Sequence, residues 1–224
     1  MRMDWRSKLE TFSFGQHQVQ LLVPLQEDIR ERYRLQKEID VSVSFPFWAQ
    51  VWPAAKALCS FISNHPQLLK HKRVLELAAG LGLPSLLATQ LASSVSCSDN
   101  HFDAVDQMQH TIDTLRLHNI DCFQLDWSEP ALNFFADVVL LSDINYDPSQ
   151  FESLYRRIVA FISEGSTVLL STPQRLMAKS FIEQLKPFCM HQEECAIEEP
   201  GGIVYCSVMV LTAGQVSWQQ DLRE

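Results

Sequence analysis

The sequence predicts an α/β fold: a seven-stranded mixed sheet with helices on both faces and a C-terminal antiparallel hairpin. Three observations carry that expectation. From residue 53 onward, short apolar runs alternate with stretches of helical periodicity. One unit, residues 73–99, reads as strand, small-residue loop, helix, strand. Gly201 and Gly202 separate the last two apolar runs as a hairpin turn would, so the sheet closes antiparallel. At 224 residues and 46% hydrophobic content, the chain has room for one domain with a large core.

Taken in order, residues 1–45 are expected to form an accessory segment, and residues 46–224 the main domain. Residues 10–14 and 18–23 pair as a hairpin around Gly15, and residues 26–37 make a charged helix. Phe45-Pro46-Phe47-Trp48-Ala49-Gln50-Val51-Trp52-Pro53 then concentrates aromatic surface. These rings either plug the underside of the sheet or offer one face to a ligand. Pro53 suits a first helical turn, where its missing N–H has no intrahelical partner to lose. Ala54, Ala57, Leu58, Phe61 and Ile62 give that helix a single apolar face.

Residues 73–77 read as a strand, and Leu83, Leu86, Leu87 and Leu91 as the apolar side of a helix. Residues 95–98 form a second strand ending on Asp99. A helix over 102–117 and a strand over 122–125 follow, the latter ending in Asp126-Trp127. Residues 137–141, an aspartate followed by Val138-Val139-Leu140-Leu141, read as a fully buried fourth strand. It ends in Ser142-Asp143-Ile144-Asn145-Tyr146-Asp147-Pro148. A helix over 150–162, a strand over 167–170, a helix over 174–185 and strands over 188–197 and 203–211 complete the order.

Ala78-Ala79-Gly80-Leu81-Gly82 has little side-chain bulk, so a backbone there can approach a ligand closely. An acid at the end of the second strand, about twenty residues further on, is where such a fold places a ribose-hydroxyl acceptor. Gly80-x-Gly82-x-x-Ser85 half-matches a dinucleotide fingerprint, but Ser85 stands where the third glycine belongs. A pyrophosphate also needs a free helix N-terminus, whereas Glu76 precedes this loop. A carboxylate beside the loop suits a cationic ligand, and S-adenosyl-L-methionine (SAM) has a sulfonium, an amine and no phosphate. The alternative is a strand-turn-helix unit with no ligand.

Other classes are bounded by composition. The formal net charge is −9 with no run rich in Lys or Arg, so nucleic acid is not the expected partner. The longest apolar runs are too short to cross a membrane, and the charged N-terminus is no secretory signal. The six cysteines lack any C-x-x-C pair and the seven histidines any ligand spacing, which favours reduced thiols, a cytoplasmic setting and no metal. The sequence leaves the oligomeric state open.

The chain resembles the seven-β-strand SAM-dependent methyltransferases, a Rossmann-like group, and within them the family-16 type that includes many protein-lysine methyltransferases. The resemblance covers roughly residues 45–211. It rests on Val51-Trp52-Pro53-Ala54-Ala55, on Val74-Leu75-Glu76-Leu77-Ala78-Ala79-Gly80-Leu81-Gly82-Leu83-Pro84, on Asp99, on Leu125-Asp126-Trp127 and on Asp143-x-x-Tyr146. It implies that Trp52 and the loop residues Ala78, Ala79 and Gly80 pack near the cofactor. It further implies that Asp99 binds the ribose, Asp126 and Trp127 flank the adenine, and Ser142 touches the methionine moiety. Glu76 and Gly82 belong to the same expected cofactor site. One departure stands out: the family usually has Gly where this chain has Ala78. The extra methyl is harmless at negative φ and costs about 1 kcal/mol or more at positive φ.

Asp143 and Tyr146 are the candidate catalytic pair. The carboxylate would bind and orient an incoming lysine ammonium, and the tyrosine would cap the same channel. The plainer assignment is a helix N-cap and a core tyrosine, but Asp147-Pro148 is better placed to be the cap. A protein substrate presenting a lysine is therefore the expected partner. Three alternatives stay open. A small-molecule N- or O-methyltransferase would share the SAM half with a closed apolar pocket. A nucleic-acid amino methylase would carry [ND]-P-P-[YF] where this chain has Asp143-Ile144-Asn145-Tyr146. A SAM-binding interaction protein would lack turnover altogether.

Overall fold

The computed structural model describes residues 5–129 and 134–214. Residues 130–133 and 215–224 of the expected main domain lie outside the described residues. The chain begins with strands β1 (Ser7–Phe14) and β2 (His17–Pro24), paired antiparallel around Gly15, which holds a φ of 55°. Helix α1 (Gln26–Ile39) follows, then α2 (Pro53–Asn64), which opens on Pro53 as its sequence suggests. Next come β3 (Arg73–Leu77), α3 (Leu83–Ala88), β4 (Ser94–Asp99), α4 (Phe102–Leu115), β5 (Ile120–Gln124) and β6 (Val138–Ser142). The remainder is α5 (Phe151–Ser163), β7 (Thr167–Pro173), α6 (Lys179–Leu185), β8 (Cys189–Glu199) and β9 (Gly202–Leu211).

Seven strands form one sheet in the order β5-β4-β3-β6-β7-β9-β8. The first five are parallel, and β9 runs antiparallel to both β7 and β8. The order reverses between β3 and β6, so the C-terminal ends of those two strands flank the switch point where open α/β sheets form a crevice.

Strand alternation sends neighbouring residues to opposite faces, and the two faces are separately covered. Val74, Val138, Leu140, Leu169, Val208 and Val210 join a core with α2, α3 and α4. Leu75, Leu77, Val139, Leu141, Leu170 and Met209 join another with α5 and α6. The segment before residue 46 packs into the first of these. Trp5, Phe14, Val19, Leu21 and Ile29 are buried in the same cluster as Leu58, Phe61 and Leu87. Polar ties reinforce the join: the Gln107 amide donates to the Leu22 carbonyl at 2.9 Å, and the Ser63 hydroxyl to the Phe14 carbonyl at 2.6 Å.

Three expected elements differ in extent. The helix expected to reach Leu91 ends at Ala88, after which the Leu91 N–H bonds back to the Ala88 carbonyl in a tighter turn. The helix expected over 102–117 stops at Leu115, because Arg116 turns left-handed with a φ of 52°. The helix expected over 174–185 begins only with a 3₁₀ turn at Leu176–Ala178 followed by α6. Pro173 ends β7, and the Gln174 N–H is taken by the Tyr205 carbonyl, so the backbone stays extended there.

Candidate active site

The loop after β3 is wound from left-handed residues: Ala78, Gly80 and Gly82 have φ of 51°, 57° and 75°. Ala78 thus occupies the conformation in which its methyl is costly. At Gly80 a Cβ would stand 3.2 Å from the Trp48 carbonyl oxygen, so the glycine is required by close approach as well as by φ. The Ala79 N–H bonds to the Ser98 carbonyl at 2.9 Å, and the Gly80 N–H to an Asp99 carboxylate oxygen at 2.9 Å. The other Asp99 oxygen accepts the His101 N–H at 2.9 Å. Burial pushes the Asp99 carboxyl above its ordinary value, opposed by those backbone bonds. Asp99 therefore locks the loop to the end of β4 while keeping lone pairs for further hydroxyl donors.

These residues form one wall of a cleft of about 580 Å³ at the C-terminal ends of β3 and β6. Trp52, Ala78, Ala79, Gly80, Gly82, Asp99, Trp127, Ser142, Asp143 and Tyr146 all line it. Trp52 is held by its indole N–H on the Phe47 carbonyl at 2.9 Å. Trp48, buried against Trp5 and His101, also lines the cleft, and its indole N–H has no hydrogen-bond partner among the described residues. The volume lies within the range of about 300–1,000 Å³ typical of small-molecule sites.

Two of the residues expected at the cofactor stand elsewhere. Glu76 is fully buried behind the loop and is absent from the cleft wall among the described residues. One of its oxygens accepts both the Ser85 N–H at 2.9 Å and the Ser85 hydroxyl at 2.5 Å, which ties β3 to α3. Burial pushes its carboxyl up to about 8, so at neutral pH it is mostly protonated. Asp126 is exposed and closes its own turn by accepting the Ser128 N–H and hydroxyl. Neither departure is visible in the motif, because a strand-end acid reads the same whether it points into the cleft or behind it.

Asp143 and Tyr146 line the same cleft from the loop after β6. Asp143 is buried, has a φ of 54°, and forms a two-pronged ion pair with Arg175; one prong spans 3.0 Å. Burial raises the Asp143 carboxyl above its ordinary value and the Arg175 guanidinium pulls it back down. Tyr146 lies half out of the cleft, 56% exposed, and burial with the nearby Asp99 charge raises its phenol. Asp147 accepts the Ser149 N–H at 2.9 Å, capping the 3₁₀ turn that leads into α5 and leaving Asp143 free of that duty. Arg175, which also lines the cleft, was not among the expected site residues. Its only sequence signal is position: it follows the C-terminal end of β7, the strand beside β6.

The donor set fits SAM. Carboxylates, indoles and a small-residue loop surround the cleft, and among the described residues lining it none is a lysine. Its one guanidinium is already committed to Asp143. Such a lining suits a cation with an adenine and a ribose, and lacks the charge a pyrophosphate would need.

The sequence pattern of the lysine methyltransferase family matches residues 35–188. Over 147 residues the chain is 29% identical to the human histone-arginine methyltransferase METTL23, covering 60% of this chain and 75% of that protein. It is 29% identical over 143 residues to the protein N-lysine methyltransferase METTL21A of Xenopus tropicalis, covering 62% and 66%. Against the Arabidopsis thaliana calmodulin-lysine N-methyltransferase the figures are 26% identity, 62% and 50%. The chain thus spans between half and three quarters of the length of these relatives. Among solved structures, protein PH1948 of Pyrococcus horikoshii superposes with a TM-score of 0.57 at 20% identity, covering 73% of this chain and 83% of that one. The N-methyltransferase NodS of Bradyrhizobium japonicum gives 0.56 at 12% identity, with 72% and 97% coverage, and so supports the fold.

Proposed function

This chain belongs to the lysine methyltransferase family, with SAM as its methyl donor, and from that premise we propose that it methylates the ε-amine of a lysine in a protein substrate. The observation that carries the proposal is the single cleft that Asp99 and the small-residue loop share with Asp143 and Tyr146. SAM, when bound, supplies an electrophilic methyl group. The roles that follow belong to the chain. Asp99 accepts ribose hydroxyls, the indoles of Trp52 and Trp127 border the adenine and sulfonium ends, and Ser142 meets the methionine moiety.

Methyl transfer is an in-line displacement, so alignment of the amine is most of the work. A lysine has a reference pKa of about 10.4 and must shed a proton before its lone pair is available. A carboxylate offers about four acceptor positions, and Arg175 occupies two of those on Asp143. The remaining positions accept the ammonium's N–H groups, and the ion pair keeps the carboxylate from turning with its guest. Tyr146 closes the channel over the aliphatic stem. Desolvation inside the cleft then favours the neutral amine, and the proton is released to water before the lone pair meets the methyl.

Asp143→Asn preserves shape and removes the charge. We expect a rate lower by about a hundredfold or more, with SAM affinity by calorimetry nearly unchanged. Near-normal turnover would take Asp143 out of the mechanism, and binding of NADH in place of SAM would end the reading. METTL23 is named for arginine as acceptor, so product analysis must separate methyllysine from methylarginine.

A further inference from the structure

Away from the cleft, one side chain from α2's end and two from a distant strand converge on one point. His65 caps the C-terminal end of α2, and His191 and Glu193 sit two residues apart on β8. Residues two apart on a strand share a face, and a bulge between Cys189 and His191 interrupts the ladder at that point. Glu193 Oε1 lies 2.9 Å from His65 Nε2 and 2.8 Å from His191 Nε2, and the three atoms all fall within 4.8 Å of one another. Around a tetrahedral zinc with bonds of about 2.0–2.2 Å, ligand atoms stand roughly 3.3–3.5 Å apart. The two observed separations from Glu193 fall about half an ångström short of that value, so the side chains would part slightly to admit the ion.

We propose that His65, His191 and Glu193 bind a divalent first-row transition ion of the zinc class. Two imidazoles and one carboxylate are a donor set such ions take, with a fourth position left to water. Water can reach it, since the side chains are 16%, 33% and 35% exposed. The Phe61 ring packs on both imidazoles, with centroids 4.5 Å from His65 and 6.0 Å from His191, and so walls the site on one side. The C-terminal end of α2 adds the negative end of a helix dipole. Inward-facing charge alone can guard an edge strand such as β8, but that duty does not call for a second histidine from α2. The bound ion would clamp α2 to the sheet edge. It would take no part in methyl transfer, since none of the three residues lines the cleft.

The test uses the full chain stripped of metal by chelation. Titration with Zn²⁺ should show one saturable site with proton release, and a raised melting temperature. Co²⁺ in its place should give visible d–d bands. His191→Ala and Glu193→Gln should each weaken Zn²⁺ binding more than tenfold and abolish the thermal shift, with methyl transfer unchanged. His65→Asn serves as the check if either variant folds poorly. Absence of saturable Zn²⁺ binding, or binding that survives these substitutions, would overturn the proposal.

Discussion

Ala78 keeps a left-handed backbone with a φ of 51° and pays for it in strain, because its Cβ crowds the adjacent carbonyl. That strain is about 1–2 kcal/mol. Changing Ala78→Gly removes it but frees the unfolded chain by about 0.4–1 kcal/mol. The strain outweighs the entropy, so the variant should be more stable by up to about 1.5 kcal/mol in urea unfolding; a loss of stability would mean that the methyl makes packing contacts worth more than the strain. Glu76 gives a second residue-scale test. Its folded pKa, about 8, is raised above the ordinary carboxyl value of 4.5 by burial. Between those values the unfolded chain has lost the proton that the native state keeps. Stability is therefore full below about pH 4.5 and falls as pH rises toward 8, with a slope approaching about 1.4 kcal/mol per pH unit. Glu76→Gln should flatten that slope between pH 5 and 8. An unchanged slope would assign the pH dependence to another group.

At the scale of elements, the late start of α6 and the strain at Asp143 belong together. The extended backbone at Gln174 and Arg175 delivers the guanidinium to Asp143, and a helix running from residue 174 would carry it elsewhere. A two-pronged pair with Asp143 only 8% exposed makes removal of Arg175 costly, though the 30% exposure of Arg175 side chain tempers the effect. Arg175→Met should destabilise by about 1–3 kcal/mol. In a double-mutant cycle with Asp143→Asn, the second substitution should cost little once the first is made. Strictly additive effects on urea midpoints would show that the pair does not couple. The strands and the loop were legible beforehand because they are local: period-two alternation, small residues in succession and an acid at a strand end all lie within a few residues of one another. The Asp143–Arg175 pair was not, because it joins residues 32 apart whose adjacency exists only once β6 and β7 are side by side. Likewise the direction of Glu76 and Asp126 depends on partners, Ser85 and Ser128, whose choice of hydrogen bond no motif encodes.

For the whole molecule, the strand order places the loop after β3 and the loop after β6 on either side of the switch point, and the cleft follows from that topology. The number of strands and the antiparallel end of the sheet were readable from the alternation of elements and the Gly201-Gly202 turn, whereas the spatial order of the strands was not. The docking of the N-terminal hairpin was not, since Phe14, Val19 and Leu21 show an apolar face without showing what it covers. The convergence of His65 with His191 and Glu193 was hidden for the same reason. Delivery of a methyl group from this cleft to protein lysine is tested directly by one measurement. Wild-type chain and the Asp143→Asn variant are incubated with isotopically labelled SAM and a proteome from cells lacking this gene, and labelled products are sequenced by mass spectrometry. Lysine ε-amines of a small set of proteins should carry label with the wild type, and that label should be lost with the variant. Label confined to metabolites, RNA or arginine side chains would contradict delivery to lysine.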